Sequence, residues 1–135
     1  MINNEKNKLS RDAKDYRNKL VGAISERLSE DAALILEFIR KATGKDNYSY
    51  SGDEPPTTTM EEIAERTSLN ETRIRWELHT LVAIGFVIKD TKRPANLYSI
   101  SEDGVDAAGF LLDEYTYPGR KIKIKAILEA KKKGN

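Results

Sequence analysis

Residues 59–85 constrain the fold of this chain more than any other stretch, because they predict two short helices joined by a tight turn. Thr59 is followed three positions later by Glu62, which is the spacing of a capping box at the start of a helix. Asn70 is a favoured N-cap for a second helix, and Gly85 is a favoured residue just beyond its end. The two predicted helices span residues 60–68 and 71–84.

A β-hairpin is predicted directly after these helices. Residues 86–90 and 97–101 are short runs with β-branched and aromatic side chains, and residues 91–96 between them include turn-forming proline and asparagine. The sequence therefore predicts a mainly helical protein that carries one small β-hairpin.

Two further helices are predicted before this stretch. Residues 10–28, with Ser10 as N-cap, place apolar side chains on one narrow stripe that must pack on the rest of the domain or on a second copy. Residues 29–43 follow, with Ser29 as N-cap and Gly44 at the end. The two helices either separate at residue 29 or run together with a bend there. The stripe consists of Ala13, Tyr16, Leu20, Ile24 and Leu28.

The remaining segments predict one long loop and two more helices. Residues 44–58 contain two adjacent prolines and predict the loop. Ser101 can cap a helix over residues 102–115. Residues 121–132 fit a helix better than a strand, although their isoleucines also alternate as in a strand. The apolar side of the helix after Ser101 consists of Val105, Ala108, Leu111 and Leu112.

Composition and charge narrow the possible classes of protein. A chain of 135 residues suits a single domain, and the absence of cysteine excludes disulfides and cysteine-ligated zinc or iron–sulfur sites. We find no signal peptide and no apolar run of the roughly 18 residues that a membrane span needs, so we expect a cytoplasmic protein.

The charges are unevenly distributed, although the net charge is only +1. Residues 1–28 hold seven basic and four acidic residues, residues 102–118 hold five acidic residues and no basic ones, and residues 119–135 hold seven basic residues and one acidic residue. The basic C-terminal tail suits contact with a DNA backbone, a charged dimer helix or a disordered end.

The segment from residue 60 to residue 104 resembles the winged helix-turn-helix family, which includes MarR-, PadR- and ArsR-like regulators and many archaeal transcription factors. The resemblance covers about a third of the chain. It implies a single winged-helix domain over residues 1–135, with a core at 29–115, an N-terminal helix at 10–28 and a basic extension at 120–135. The matching residues are Glu62-Ile63-Ala64, Leu69, Ile74, Leu78, Leu81, Gly85-Phe86 and Tyr98-Ser99-Ile100-Ser101 with Gly104.

The second helix of this motif is the recognition helix in such families. On a helical wheel, Ile74, Leu78 and Leu81 form its buried side, while Glu71 and Glu77 lie at the shoulders and need not meet phosphates. An arginine can pair with guanine and a threonine can touch a thymine methyl group in the major groove. The predicted DNA-binding residues of this helix are Asn70, Thr72, Arg73, Arg75, Trp76 and His79.

Two of these residues have a second interpretation. An exposed tryptophan packs against a protein surface more often than it contacts a base, so Trp76 is also a candidate for a contact with another protein or another part of this chain. His79 is the only histidine. A lone histidine makes no metal site, so it is either a surface residue or a phosphate contact, and we expect no metal or cofactor.

The hairpin corresponds to the wing of these families. Its tip is basic, which predicts contact with phosphates or the minor groove, the alternative being charge that keeps the tip soluble. The predicted contacts are Lys89, Lys92, Arg93 and Asn96.

The leading hypothesis is a transcription regulator that binds double-stranded DNA as a homodimer. We expect it to be associated with the nucleoid when it is bound to DNA. The helices at 10–28 and 121–132 would form the dimer surface. The alternative is a winged-helix protein-interaction module of the basal transcription or replication machinery. Enzymatic activity is not expected, since the chain has no cysteine nucleophile, no glycine-rich phosphate loop and no paired histidines.

Overall fold

The computed structural model describes residues 2–44, 56–91 and 95–133, with side chains described between residues 11 and 130 of those ranges. These residues form six helices and one two-stranded antiparallel sheet, which confirms the predicted fold class. In chain order the elements are α1 (Ile2–Ser25), α2 (Glu30–Thr43), α3 (Met60–Thr67), α4 (Glu71–Ala83), β1 (Val87–Asp90), β2 (Leu97–Ile100), α5 (Glu102–Leu111) and α6 (Arg120–Lys133).

Four helices begin at side-chain caps, and all four caps were predicted. In each case the cap oxygen accepts a hydrogen bond from the backbone N–H three residues later, so one of the otherwise unpaired donors of the first turn is satisfied. The capping residues are Ser29 of α2, Thr59 of α3, Asn70 of α4 and Ser101 of α5.

Helix α2 runs through the middle of the core. Residues 32–39 are all buried, and the helix contacts α3 and α4, α5 and strand β2. Ile74, Leu78 and Leu81 of α4 are buried as the wheel predicted. Burial of each such side chain stabilises the fold by roughly 2 kcal/mol. The buried side of α4 therefore fixes which of its side chains remain in solvent.

The junction between α4, the hairpin and α5 is tight. Gly85 has a φ of +86°, which allows the chain to leave α4 and enter β1, where Val87 pairs with Ile100. Gly104 lies so close to this turn that an added Cβ would sit 2.1 Å from the Phe86 carbonyl oxygen. The close approach holds α5 against the base of the hairpin.

The predicted bounds of the first helix were wrong. Helix α1 begins at Ile2, so Ser10 lies inside it and is not its N-cap. It ends at Ser25 rather than at residue 28, because hydrogen bonds of the i→i−3 kind tighten the chain there and Ser29 adopts an extended backbone. Residues 26–29 thus separate α1 from α2, and the two helices do not run together.

Only the C-terminal part of the predicted stripe packs against the core, through Ile24 and Leu28. Val21 is buried at 4% exposure, and Arg17 Nε donates to Asp103 Oδ1 of α5 at 2.7 Å. Tyr16 and Leu20 remain 67% and 45% exposed. We call the exposed residues Ala13, Tyr16 and Leu20 the α1 stripe.

Helix α5 is shorter than predicted, since it ends at Leu111 and not at residue 115. Asp113 Oδ2 accepts hydrogen bonds from the backbone N–H and hydroxyl of Thr116, at 2.9 and 2.7 Å, and this turn competes with continued helix. Val105 is 43% exposed rather than buried, because α5 turns its neighbours Gly104 and Ala108 to the core.

Helix α6 confirms the helical interpretation of the C-terminal segment. Ile124 and Leu128 are buried, and α6 contacts α3, where Arg66 donates to the Leu128 carbonyl oxygen at 3.1 Å. The predicted loop over residues 44–58 falls mostly on residues 45–55, which lie outside the described part of the chain.

Candidate nucleic-acid interface

Helix α4 presents one exposed polar face, which we call the α4 face. It contains Thr72, Trp76 and His79, all exposed, with Arg73 and Arg75 at its edges. Trp76 is 70% exposed, so among the described residues it does not pack into this chain. The structure thus brings together the α4 residues predicted from the sequence.

The N-terminal end of α4 is exposed and favours a negatively charged ligand. Asn70 Oδ1 accepts from the Arg73 backbone N–H at 2.8 Å, so its oxygen is occupied by capping while the rest of the residue is exposed. The backbone N–H groups of the first turn and the helix dipole favour negative charge at this end.

The two glutamates of α4 lie in different environments. Glu77 is buried at 6% exposure, and its Oε1 accepts from the Ser29 hydroxyl of α2 at 3.2 Å. Glu71 is exposed and pairs with Arg75 four residues later, with 3.1 Å between Oε1 and the guanidinium nitrogen. Glu77 is therefore part of the packing between helices and does not project from the α4 face.

Arg73 lies between two carboxylates. Its Nε is 3.0 Å from Asp31 Oδ2 of α2, and one terminal nitrogen is 3.6 Å from Glu77 Oε1. The spacing of Arg73 and Glu77 on one helix allows their pairing, but the sequence did not show the contact with Asp31, which is 42 positions away on α2. Sequence reasoning therefore missed the link between these helices.

Arg75 lies within electrostatic reach of Tyr98 on strand β2. Burial raises the pKa of the Tyr98 hydroxyl, while a hydrogen bond with Asn96 and the positive charge of Arg75 partly offset that rise. The neutral hydroxyl of Tyr98 thus lies within electrostatic reach of both side chains. Tyr98 was not predicted as a site residue, and the proximity of Tyr98 and Arg75 depends on tertiary packing.

The hairpin carries the remaining predicted contacts. Lys89 and Asn96 are exposed on β1 and just before β2. Lys92 and Arg93 lie outside the described residues. The described part of the hairpin therefore offers one lysine and one amide beside the α4 face.

The described ranges contain neither a cluster of metal ligands nor a candidate membrane span. There, no group of three or more histidine, cysteine, aspartate or glutamate residues is arranged to hold a metal ion. None of the helices formed by those residues has the length and apolar character needed to cross a membrane.

The fold is similar over nearly the whole chain to solved MarR-family repressors. One is the multiple antibiotic-resistance repressor MarR of Listeria monocytogenes, 16% identical, covering 96% of this chain and 76% of that chain with a TM-score of 0.48. Another is a cysteine-to-serine mutant of E. coli MarR complexed with operator DNA, 14% identical, covering 92% of this chain and 85% of that chain with a TM-score of 0.51. No family model and no curated protein matches the sequence. The likeness to the E. coli protein confirms a MarR-like winged-helix fold.

Proposed function

We propose that this protein is a transcription regulator that binds double-stranded DNA as a homodimer, with the α4 face in the major groove. The observation that carries the proposal is the α4 face itself, where Trp76 and Arg75 are exposed on the second helix of a winged helix-turn-helix. The similar E. coli repressor was solved with operator DNA, which makes DNA the first ligand to test.

The proposed contacts divide by position. Thr72, Trp76 and His79 would face the bases, and Arg75 can reach a guanine or a phosphate. The N-terminal end of α4 at Asn70 would face a phosphate, because its N–H groups and dipole favour an anion. On the wing, the proposed phosphate or minor-groove contacts are Lys89, Lys92, Arg93 and Asn96.

The α1 stripe supports the homodimer. Tyr16 and Leu20 are exposed along a helix that extends from Ile2, and contiguous apolar patches of this kind commonly mark protein contacts. A twofold dimer would pair the stripe with its own copy. Two α4 helices would then reach major grooves about one turn of DNA apart.

The second candidate function is that of a protein-interaction module. The specific observation in its favour is the exposure of Trp76 next to an arginine paired with carboxylates, since such aromatic residues often anchor protein contacts. In this case the α4 face would bind a protein of the transcription or replication machinery.

Fluorescence of the single tryptophan can distinguish the two candidates. Random-sequence duplex DNA is titrated into the protein at low and at moderate salt. The regulator predicts a change in Trp76 emission and an affinity that falls steeply as salt rises, because phosphate contacts release counterions. An unchanged spectrum at low salt would remove the DNA proposal and favour the protein partner.

A further inference from the structure

The two arginines of α4 differ in how firmly they are held. The Arg75 pair with Glu71 joins side chains that are 64% and 70% exposed, so water competes for both groups. Arg73 faces Asp31 and Glu77, whose side chains are 34% and 8% exposed. Exposed pairs contribute little to stability and break readily, whereas separating a partly buried pair leaves a carboxylate uncompensated.

Arg73 belongs to a network that joins α4 to the start of α2. Ser29 caps α2 by accepting from the Ala32 N–H at 3.0 Å, and its hydroxyl donates to Glu77 Oε1 at 3.2 Å. The same Glu77 oxygen lies 3.6 Å from Arg73, whose Nε is 3.0 Å from Asp31. The guanidinium is thus the one cation that these distances place against both carboxylates.

The positive charge of Arg73 stabilises both carboxylates. Glu77 is buried, so its charge needs a counter-charge as well as the Ser29 hydroxyl. Asp31 lies in the first turn of α2, where the helix dipole favours an ionised carboxylate. If Arg73 turned towards a phosphate, it would leave Glu77 with a single neutral hydrogen-bond donor among these contacts.

We propose that Arg73 is a positioning residue that fixes the angle of α4 against α2, and that Arg75 is the α4 arginine that contacts a DNA phosphate. This assignment rests on the proposed DNA-binding function. It distinguishes two arginines two positions apart by their carboxylate partners, which are partly buried for Arg73 and exposed for Arg75.

The dependence of DNA affinity on salt separates a phosphate contact from a positioning residue. The slope of log K against log salt is negative, and each lost phosphate contact reduces its magnitude by about 0.9. We expect R75Q to reduce the slope by that amount. We expect R73Q to lower the affinity for random duplex DNA about tenfold, since α4 is misplaced, and to leave the slope unchanged.

The matched variant is D31N, which keeps the arginine and removes the charge of the nearer of its two carboxylate partners. Losing a negative charge would tighten DNA binding if Arg73 were a DNA contact held back by Asp31. We expect instead that D31N weakens binding as R73Q does, and that the double variant R73Q/D31N weakens it no further. Tighter binding by D31N, or a reduced slope for R73Q, would overturn the assignment.

A measurement without DNA keeps this inference separate from the proposed function. Urea unfolding of the two single variants and the double variant reports the coupling between Arg73 and Asp31, with circular dichroism confirming that each variant is folded. We expect the shift of the midpoint in the double variant to be smaller than the two single shifts combined. Additive shifts would contradict the positioning role, whereas a wild-type protein that fails to bind DNA would contradict only the DNA-binding function and the role of Arg75.

Discussion

The α4 face and the α1 stripe both leave large side chains in solvent, but their chemistry differs. The α4 face surrounds Trp76 with arginines, a threonine and a histidine, whereas the α1 stripe is formed by Ala13, Tyr16 and Leu20. Indole and guanidinium groups suit a charged polar ligand, and an apolar stripe suits another protein surface. Exposure alone therefore does not identify a partner, while the groups around the exposed side chain do.

One scaffold carries both the α4 face and the α1 stripe, and Gly104→Ala is the change expected to disturb that scaffold most. An added Cβ would meet the Phe86 carbonyl oxygen at 2.1 Å, so Gly104→Ala must move α5 away from the hairpin. We expect a loss of about 3 kcal/mol in the free energy of unfolding, measured by urea denaturation.

The matched control for this variant is Gly109→Ala on the same helix. An added Cβ there meets nothing within 4 Å, and alanine favours helix over glycine by up to about 1 kcal/mol. An unchanged or higher stability is expected. If both variants were equally stable, the close contact between α5 and the hairpin would be refuted.

Leu20→Glu places a negative charge in the middle of the α1 stripe. A glutamate in an apolar interface between two copies leaves an unpaired charge there, so we expect the dissociation constant of the dimer to rise about a hundredfold. Analytical ultracentrifugation measures this constant.

Trp76→Ala is the control for that experiment, because the α4 face lies outside the proposed dimer contact. It should leave the dissociation constant of the dimer unchanged. A Leu20→Glu protein that sediments as the wild type does would show that the stripe is not the dimer surface.

The same tryptophan variant tests the role of the α4 face in DNA binding. We expect Trp76→Ala to weaken binding of labelled duplex DNA about tenfold, in line with roughly 1–3 kcal/mol for an aromatic residue that contacts bases. Fluorescence anisotropy reports this affinity. Tyr115 is 95% exposed between α5 and α6, and Tyr115→Ala should bind DNA as the wild type does. Equal losses of DNA affinity in both variants would show that the loss is not specific to the α4 face.

The smallest expected effect is a change in the pKa of Asp113, which lies in the turn that follows α5. Hydrogen bonds from the Thr116 hydroxyl and N–H hold the pKa of the Asp113 carboxyl below its usual value. Their stabilising contribution is present above that usual pKa and is lost as the pH falls through the folded-state value. Carbon-detected NMR titration should show the Asp113 pKa rising in Thr116→Val. A pKa unaffected by this change would assign the shift to another cause.

Local signals in the sequence were sufficient for most of the fold. The caps Ser29, Thr59, Asn70 and Ser101 were predicted because each interaction involves residues only three positions apart. The end of α5 was missed because the hydrogen bonds of Asp113 with Thr116 interrupt a pattern that otherwise continues as helix.

Contacts between distant segments were not predictable in the same way. The wheel placed Glu77 at the shoulder of α4, but its burial depends on the packing of α2 against α4, which brings the Ser29 hydroxyl to it. The stripe of α1 was predicted from apolar spacing alone, whereas the structure buries Val21 and exposes Leu20, because α1 packs against α5.

The most direct test of the central claim is the indole ¹H–¹⁵N signal of Trp76, which is the only tryptophan in the chain. Short random-sequence duplex DNA is added to ¹⁵N-labelled protein at low salt, and salt is then raised in the same sample. If the α4 face binds DNA, the indole signal shifts or broadens on addition of DNA and returns towards its free position as salt rises. An indole signal that stays in place while anisotropy shows the duplex bound would contradict the account, because DNA would then bind elsewhere.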